Sequence, residues 1–320
     1  MKVRELWHIT KEKTIIQSVD CELSDPSKIL IQTLYSLVST GTERLVSLGM
    51  VPPELWETMA VPNMMGSFSF PVKYGYSLVG KVVSGNGYWL GKQVHLMNPH
   101  QDFVFVSPEE VSIIPEEVGP QRAALVGVME TACNAVWDSG VSVGDRVLVN
   151  GFGIVGALIA SVVSKIPGVQ VCVNEPSEFR RQLAQSMGFV LFQKISDLKF
   201  DISFNTSARG AGLQFCLNKT AYEGTIVEVS WFGTETVELN LGGNFHIGRQ
   251  RIISSQVSHI PGPKGNRWNT KRRKDLVFDL LKDPVYDRLI SRQIPFSDAS
   301  AAFDVIRRGN PEDICITFTY

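Results

Sequence analysis

The sequence predicts an α/β protein, a doubly wound parallel sheet inserted into a β-rich domain to which the chain returns at its end. Three observations predict it. Short strand-like runs separated by Gly, Pro, Ser and Asn fill the chain to about Pro120. Strand and helix signals alternate from about Ala123, and one apolar run ends in a glycine turn that opens a helix-like segment. At 320 residues the chain exceeds the size, about 250–300 residues, at which single cores stop growing. Two domains are therefore expected, one from residues 1–125 and 266–320 and one from 126–265.

In the first part, Ile29–Tyr35, Leu78–Val83, Gln93–Leu96 and Phe103–Val106 read as strands of a compact, barrel-like sheet. Between them Met50–Pro71 is rich in Met, Pro, Trp and Phe and too irregular for one helix, which suits a lid or substrate loop. Its Trp56, Met59, Met64, Met65, Phe68 and Phe70 fit a bulky apolar ligand and fit a core equally well.

Ala123–Asp138 is helix-like. Strand Arg146–Asn150, helix Ile154–Lys165, strand Gln170–Asn174 and helix Glu178–Met187 follow, the last with Phe179, Leu183 and Met187 on one face and a stop at Gly188. Strands at Val190–Phe192, Asp201–Asn205, Thr225–Val229 and Ile252–Val257 continue the series. Such alternation implies right-handed βαβ units and a parallel sheet covered on both faces. Then come a helix at Lys271–Leu281, a short strand at Leu289–Ile294 and a helix at Ser297–Arg308. The closing run Ile314–Phe318 is not needed for a six-stranded sheet and is assigned to the first domain.

The run from Arg146 to Gly156 carries most of the functional information. It ends in GFGIVG, and a strand before and a helix after give that pattern the context a lone GxGxxG lacks. Gly151 permits the tight turn, Gly153 lets backbone approach a pyrophosphate, and Gly156 lets helix and sheet pack closely. The phosphates then rest on the helix N-terminus, at Ile154 and Val155. Glu175 lies 19 positions beyond Gly156 (175 − 156), where a dinucleotide fold places the carboxylate that binds the adenosine ribose hydroxyls. Thr206 and Ser230, just beyond two later strands, are further candidates for cofactor contact. Glu175 predicts a preference for NAD(H). Arg180 and Arg181 offset part of its repulsion of a 2′-phosphate, so NADP(H) stays open.

Lys+Arg 31 against Asp+Glu 32 leaves a net charge of −1, so no global field favours nucleic acid or an anionic membrane. The local basic run Lys264–Lys274 reads as a solvated loop and first helical turn. The N-terminus has no apolar core for a secretory leader, and the apolar run Ile154–Val163 is too short to span a bilayer. Five scattered cysteines, none in CxxC, suit reduced thiols. A soluble cytoplasmic enzyme acting on a small molecule is expected.

A β-rich N-terminal domain, an inserted dinucleotide fold and a returning tail resemble the medium-chain dehydrogenases/reductases, the alcohol dehydrogenase superfamily. The resemblance covers nearly the whole chain, including VGDRVLV (143–149) and DRLISRQIPF (287–296). It implies a Rossmann domain inserted in a GroES-like (chaperonin-10-like) catalytic domain, and a homodimer. Ser39–Glu43 (STGTE), Pro71–Tyr76 and Ser254–Val257 are similar to a zinc-lacking branch that includes bacteriochlorophyllide a dehydrogenase. Departures from the zinc enzymes point the same way. Thr40 stands where a zinc cysteine would, Gly75-Tyr76-Ser77 replaces the GHE motif, and the third ligand falls near Gly127. The four-cysteine lobe is missing across residues 93–106. A catalytic zinc needs three protein ligands. His95, His100 and Asp102 could form another set, yet partnered histidines fit better, so no metal is expected.

The resemblance assigns Thr42 to the proton-relaying hydroxyl and turns Tyr76 into the cleft. Tyr76 can donate to a carbonyl oxygen if its surroundings lower its ordinary value near 10, or it can simply fill the zinc pocket. Glu43 matches an acid behind the zinc or caps a helix. Thr131 is a cofactor-contact candidate and Glu130 a candidate acid/base. His246–Arg251 fits an interface or a cofactor loop, and the pyrophosphate-clamping arginines of the superfamily are lost at Gly41 and near Cys315. The expected activity is zinc-independent hydride transfer on an alcohol/carbonyl pair. Reduction of a quinone or enoyl C=C bond and a dinucleotide-binding redox sensor are the alternatives.

Overall fold

The computed structural model describes residues 1–21, 25–193 and 197–320. The chain divides into two compact units, Met1–Gly127 with Phe278–Tyr320, and Val128–Val277. The second crossing falls at Phe278 rather than at 266, inside the helix Thr270–Leu280. The cause is Arg273, whose ion pair with Glu130 ties the first turns of that helix to the second unit.

The first unit holds two sheets. In the larger, the strands run Arg292–Pro295, Ile316–Thr319, Ile29–Val38, Leu78–Ser84, Gln93–Leu96 and Val111–Ile113, and Phe103–Val106 also pairs with Ile29–Val38. The closing strand Ile316–Thr319 is antiparallel to Ile29–Val38. Alternate residues point inward, so Ile29, Ile31, Leu78, Val82, Val94, Leu96, Val104 and Val106 form one core. Burial of each contributes roughly 1.5–3 kcal/mol. The smaller sheet contains a hairpin, Lys2–Thr10 with Lys13–Asp20, that the charged N-terminus did not suggest. Its buried residues fall on both faces, Val3 and Glu5 on one and Leu6 and His8 on the other, and the charged residues among them hid the period.

The expected strand Leu289–Ile294 is a 3-10 turn, Pro284–Leu289, followed by the strand Arg292–Pro295. Asp283 starts that turn by accepting from the Val285 N–H at 3.0 Å, with Pro284 fixing the first helical φ. The expected helix Ala123–Asp138 is a short turn, Pro120–Ala123, and then the helix Val126–Ser139.

The second unit is a six-stranded parallel sheet. Its strands are ordered Val190–Leu191, Gln170–Asn174, Arg146–Asn150, Phe200–Asn205, Thr220–Glu228, Arg251–Ser254. In order of appearance this is 3-2-1-4-5-6, with the reversal between Arg146–Asn150 and Phe200–Asn205, the switch point at which such sheets bind ligands. Helix Ile154–Val163 is apolar all round and buried along nearly its whole length. Among the described residues no helix is long and apolar enough to cross a membrane.

Candidate active site

The glycine turn lies at the switch point. Gly151 has φ +97°, a conformation that strains any other residue. A Cβ on Gly156 would stand 2.1 Å from the Gly151 carbonyl oxygen and 2.6 Å from Thr206 Oγ1, so helix and turn touch backbone to backbone. Gly153 caps the helix without a side chain, which leaves the N–H groups at Ile154 and Val155 for an anion. The cradle fits a pyrophosphate.

Glu175 is buried and its carboxylate already works for the protein. Oε2 accepts from the Phe152 N–H at 2.7 Å and Oε1 from the Ser177 N–H at 2.8 Å. Each oxygen keeps a lone pair for a ribose hydroxyl. Arg180, in the first turn of the helix Glu178–Ser186, brings Nη1 to 3.7 Å from where a Cβ on Gly153 would stand. Arg181 turns away, donating to the Pro176 carbonyl at 2.6 Å and pairing with Glu178. Thr206 Oγ1 donates to the Gly151 carbonyl at 2.9 Å. Ser230 Oγ accepts from the Ala208 N–H at 2.9 Å, and the Ser230 N–H donates to Glu228 Oε1 at 2.8 Å. Both hydroxyls thus shape the loops at the strand ends.

Four adjacent strands end in polar residues whose side chains join hands. Asn174 Nδ2 donates to Asn150 Oδ1 at 2.7 Å, Asn150 Nδ2 to Asn205 Oδ1 at 2.9 Å, and Asn205 Nδ2 to Glu228 Oε2 at 2.7 Å. Sequence reading missed this ladder. Its signal was present, since the runs RVLVN, QVCVN and DISFN all close on Asn.

Glu130, the candidate acid/base, is held in an ion pair. Arg273 Nε donates to Glu130 Oε1 at 3.1 Å, and both side chains are buried. The same guanidinium donates to Asn134 Oδ1 at 3.0 Å and to the Val257 carbonyl at 2.7 Å. The basic run is therefore not a uniformly solvated face either, because Arg273 is only 4% exposed. Thr131 sits beside Glu130 on the helix Val126–Ser139. In the His246–Arg251 segment, Arg249 pairs with Glu223 at 2.9 Å and buried Gln250 donates to the Thr220 carbonyl at 2.7 Å.

The first unit carries a separate polar cluster. The segment after Ile29–Val38 places Ser39 and Thr42, and both hydroxyls stand beside the Tyr76 side chain, near enough to lower its pKa. Burial is the largest influence on Tyr76 and raises its pKa above 10; the two hydroxyls lower it in part, and the Glu43 charge raises it further. The surroundings thus raise rather than lower its ordinary value, and Tyr76 is a neutral phenol in the neutral range. A Cβ on Gly127 would meet its ring at 3.5 Å.

Beneath it, Glu43 and His100 are completely buried and 2.7 Å apart, Nε2 to Oε2. Glu43 Oε1 also accepts from the Ser39 N–H at 2.9 Å. His100 Nδ1 meets Ser36 Oγ at 2.7 Å, and Ser36 Oγ meets the Tyr320 hydroxyl at 2.7 Å. With His100 protonated on Nε2, every hydroxyl in this chain has a partner. Gly75, at φ +135°, is required here, for its Cβ would come within 3.0 Å of the His100 ring.

The zinc of the resembling enzymes does not fit these residues. His95 Nε2 lies 3.0 Å from Ser77 Oγ, His100 is held by Glu43 and Ser36, and Asp102 pairs with Arg4 at 2.8 Å, so the three candidate ligands face three different ways. Among the described residues no three His, Cys, Asp or Glu side chains converge as a metal would need. In the loop 50–71 only Phe68 among the six named apolar residues is buried; Met65 is half exposed. Phe68 packs on Tyr74 (centroids 5.7 Å apart), and Tyr74 meets Tyr76 edge-on at 6.3 Å.

No model of a known protein family matches the chain. Among characterised proteins it is similar to D-guloside 3-dehydrogenase of Shigella flexneri, 26% identical over 236 residues that cover 66% of this chain and 67% of that enzyme. Among solved structures, 2R,3R-butanediol dehydrogenase of Bacillus subtilis superposes with TM-score 0.78 at 18% identity over 99% of both chains. A zinc-binding dehydrogenase of Sinorhizobium meliloti, so described provisionally and bound to NADP, does so with TM-score 0.78 at 16% identity over 100% of both. The fold is theirs, a GroES-like domain with an inserted Rossmann domain.

Proposed function

We propose that this chain is a zinc-independent, nicotinamide-dependent oxidoreductase of the medium-chain dehydrogenase/reductase superfamily, acting on an alcohol/carbonyl pair. One observation carries the metal-free part of the reading. Tyr76, at the position of a zinc ligand in the resembling enzymes, is a neutral phenol flanked by the Ser39 and Thr42 hydroxyls and packed on Gly127, near which a third ligand would stand. The similarity to a sugar-glycoside dehydrogenase supports the alcohol/carbonyl chemistry and a hydroxyl-bearing substrate of sugar type.

A bound nicotinamide supplies or accepts the hydride. The N–H groups at Ile154 and Val155 would hold its pyrophosphate, Glu175 the adenosine ribose, and Thr206 and Ser230 would keep the strand-end loops in place. In the direction of reduction, Tyr76 Oη–H donates a hydrogen bond to the substrate oxygen. The proton passes from Oη, and the Ser39 and Thr42 hydroxyls are the neighbours from which it is replaced. A phenol with a raised pKa stays protonated through the neutral range, so it can hydrogen-bond the substrate oxygen, while Ser39 and Thr42 offset part of the rise that opposes proton release.

We further infer a preference for NAD(H) from Glu175, and a homodimer from the superfamily resemblance. Single-turnover oxidation of bound NADH, followed by loss of the reduced-nicotinamide absorbance, against ketoses, ketones, aldehydes, quinones and enones, tests the reading. Oxidation by the carbonyl compounds supports it; oxidation by the quinones and enones alone, or by none, overturns it. Stoichiometric zinc in chelator-free protein would overturn the metal-free part.

A further inference from the structure

We propose that Asn174, Asn150, Asn205 and Glu228 form a polarised amide ladder that sets cofactor specificity, with Glu228 at one end forcing Asn174 at the other to present its amide oxygen to the adenosine half of the dinucleotide. This rests on the nicotinamide reading above and adds to it a specificity-determining residue and the remote group that orients it.

The register makes the four residues direct neighbours: Asn150 is opposite Asn174 and Asn205, and Asn205 is opposite Glu228. An amide has a donor end and an acceptor end, so a row of amides can in principle point either way. Here the end group decides. An ionised carboxylate only accepts, and Glu228 already takes the Ser230 N–H on Oε1, so Oε2 requires the Asn205 nitrogen.

Asn205 Oδ1 must then face Asn150. It also accepts from Ser207 Oγ at 2.8 Å, which holds the same orientation. Asn150 is thereby fixed with Nδ2 toward Asn205 and Oδ1 toward Asn174. Asn174 spends Nδ2 on that oxygen and turns Oδ1 outward. It is half-buried, and among the described residues nothing donates to its Oδ1.

Water does not compete within the row. Asn150 and Asn205 are buried, and helix Gly210–Lys219 lies directly on them. A Cβ on Gly212 would stand 2.1 Å from Ser207 Oγ and 2.7 Å from Asn150 Nδ2. Inside such a sealed row each bond polarises the next, and a reversed amide leaves an unpaired buried group.

The chemistry selected is that of a hydrogen-bond donor. Asn174 directly precedes Glu175 in the chain, so two acceptor-bearing residues stand at the strand end where the adenosine ribose would bind. A ribose 2′-hydroxyl or an adenine amino group can donate to Asn174; a 2′-phosphate cannot, and it adds charge beside Glu175.

The test is calorimetric titration of the full-length protein with three probes that lack the nicotinamide. These are ADP-ribose, 2′-phospho-ADP-ribose, and the hypoxanthine analogue of ADP-ribose. The wild type is expected to bind ADP-ribose at least tenfold more tightly than its 2′-phosphate. Asn174→Ala should narrow that ratio about tenfold, and Asn174→Leu, which keeps the volume but offers no acceptor, should narrow it as much. Glu228→Gln cannot offer acceptors to both Ser230 and Asn205, and should narrow the ratio in the same direction although it lies at the far end of the row. Undiminished binding of the hypoxanthine probe is expected, with the ribose 2′-hydroxyl as donor; weak binding assigns Asn174 to the adenine amino group, which both ADP-ribose probes share, and overturns its role in specificity.

Ratios unchanged within twofold in Asn174→Ala overturn the proposal and leave the dinucleotide reading standing. Failure of the wild type to bind any probe overturns both. Should Glu228→Gln not fold, the two Asn174 variants decide; a ratio changed in Asn174→Ala but not in folded Glu228→Gln overturns the orienting role.

Discussion

The glycine edge of the second unit and the Tyr76 cluster of the first are both built from polar groups, but they are built in opposite ways. At the glycine edge, main chain does the work. Gly151, Gly153 and Gly156 open space, and side chains such as Thr206 and Glu175 are spent on holding backbone. In the Tyr76 cluster, side chains do the work and the main chain gives way, as Gly75 does before the His100 ring. A site made from backbone tolerates little change of shape, because an atom added at Gly151 or Gly156 meets other backbone atoms. A site made from side chains tolerates change of shape but not the loss of a charge partner in its buried interior.

The largest effect expected from that contrast is at Gly156. Gly156→Val places a branched carbon on the Gly151 carbonyl and should lower NADH affinity at least about a hundredfold, equivalent to about 2.7 kcal/mol, in a fluorescence titration. Near-native binding would show that the edge can yield. On the other side, His100→Ala leaves the Glu43 carboxylate buried with one backbone donor, and removal of one partner of a buried pair costs about 3–5 kcal/mol. That loss should appear as a lower urea midpoint, with NADH affinity of the folded protein kept within about twofold; a fall in affinity as large as that for Gly156→Val would erase the contrast.

Tyr76→Phe sharpens it. The ring and its packing on Gly127 remain, and only the hydroxyl is lost, so turnover should fall about tenfold, or about 1.4 kcal/mol, at unchanged cofactor affinity. Unchanged turnover would make Tyr76 a plug. Because burial raises the pKa of Tyr76, its own ionisation should put no alkaline limb on the pH–rate profile below pH 10.

The smallest effect concerns acid. Burial, followed by the charge of Arg307 and the proximity of His100, lowers the pKa of His8 from 6.5 to about 3. A histidine held neutral in the fold contributes stability that is complete above the unfolded value of 6.5 and is lost as pH falls from there toward about 3. The urea midpoint should therefore drop by the equivalent of under about 1 kcal/mol between pH 7 and pH 6, and His8→Gln should flatten that slope.

The two regions also differ in how readily the sequence reveals them. The glycine turn, its strand, its helix and Glu175 lie within 30 positions of one another, and local spacing carries their geometry. The Tyr76 cluster joins residues from position 36 to position 320, and no local pattern reports that Ser36, His100 and Tyr320 share hydrogen bonds. The ion pair Glu130–Arg273 spans 143 positions and was unreadable for the same reason, which is why Glu130 looked available. The ladder is an intermediate case. Its Asn residues stand at the ends of recognisable strands, but only the strand order makes them neighbours. Most of the second unit's fold was legible because parallel strands announce themselves as apolar runs; the N-terminal hairpin was not, because its exposed face is charged.

The contact between Gly127 and the Tyr76 ring bears on how such a protein can change over time. A Cβ at 127 already touches the phenol, so a ligating side chain reaching toward that space has no room while Tyr76 remains. Replacing Tyr76 first would remove the proposed proton donor before any metal could substitute for it. If the proposed metal-free chemistry holds, gaining a metal site would therefore pass through an intermediate with neither donor nor metal, so the order of substitutions would matter more than their number.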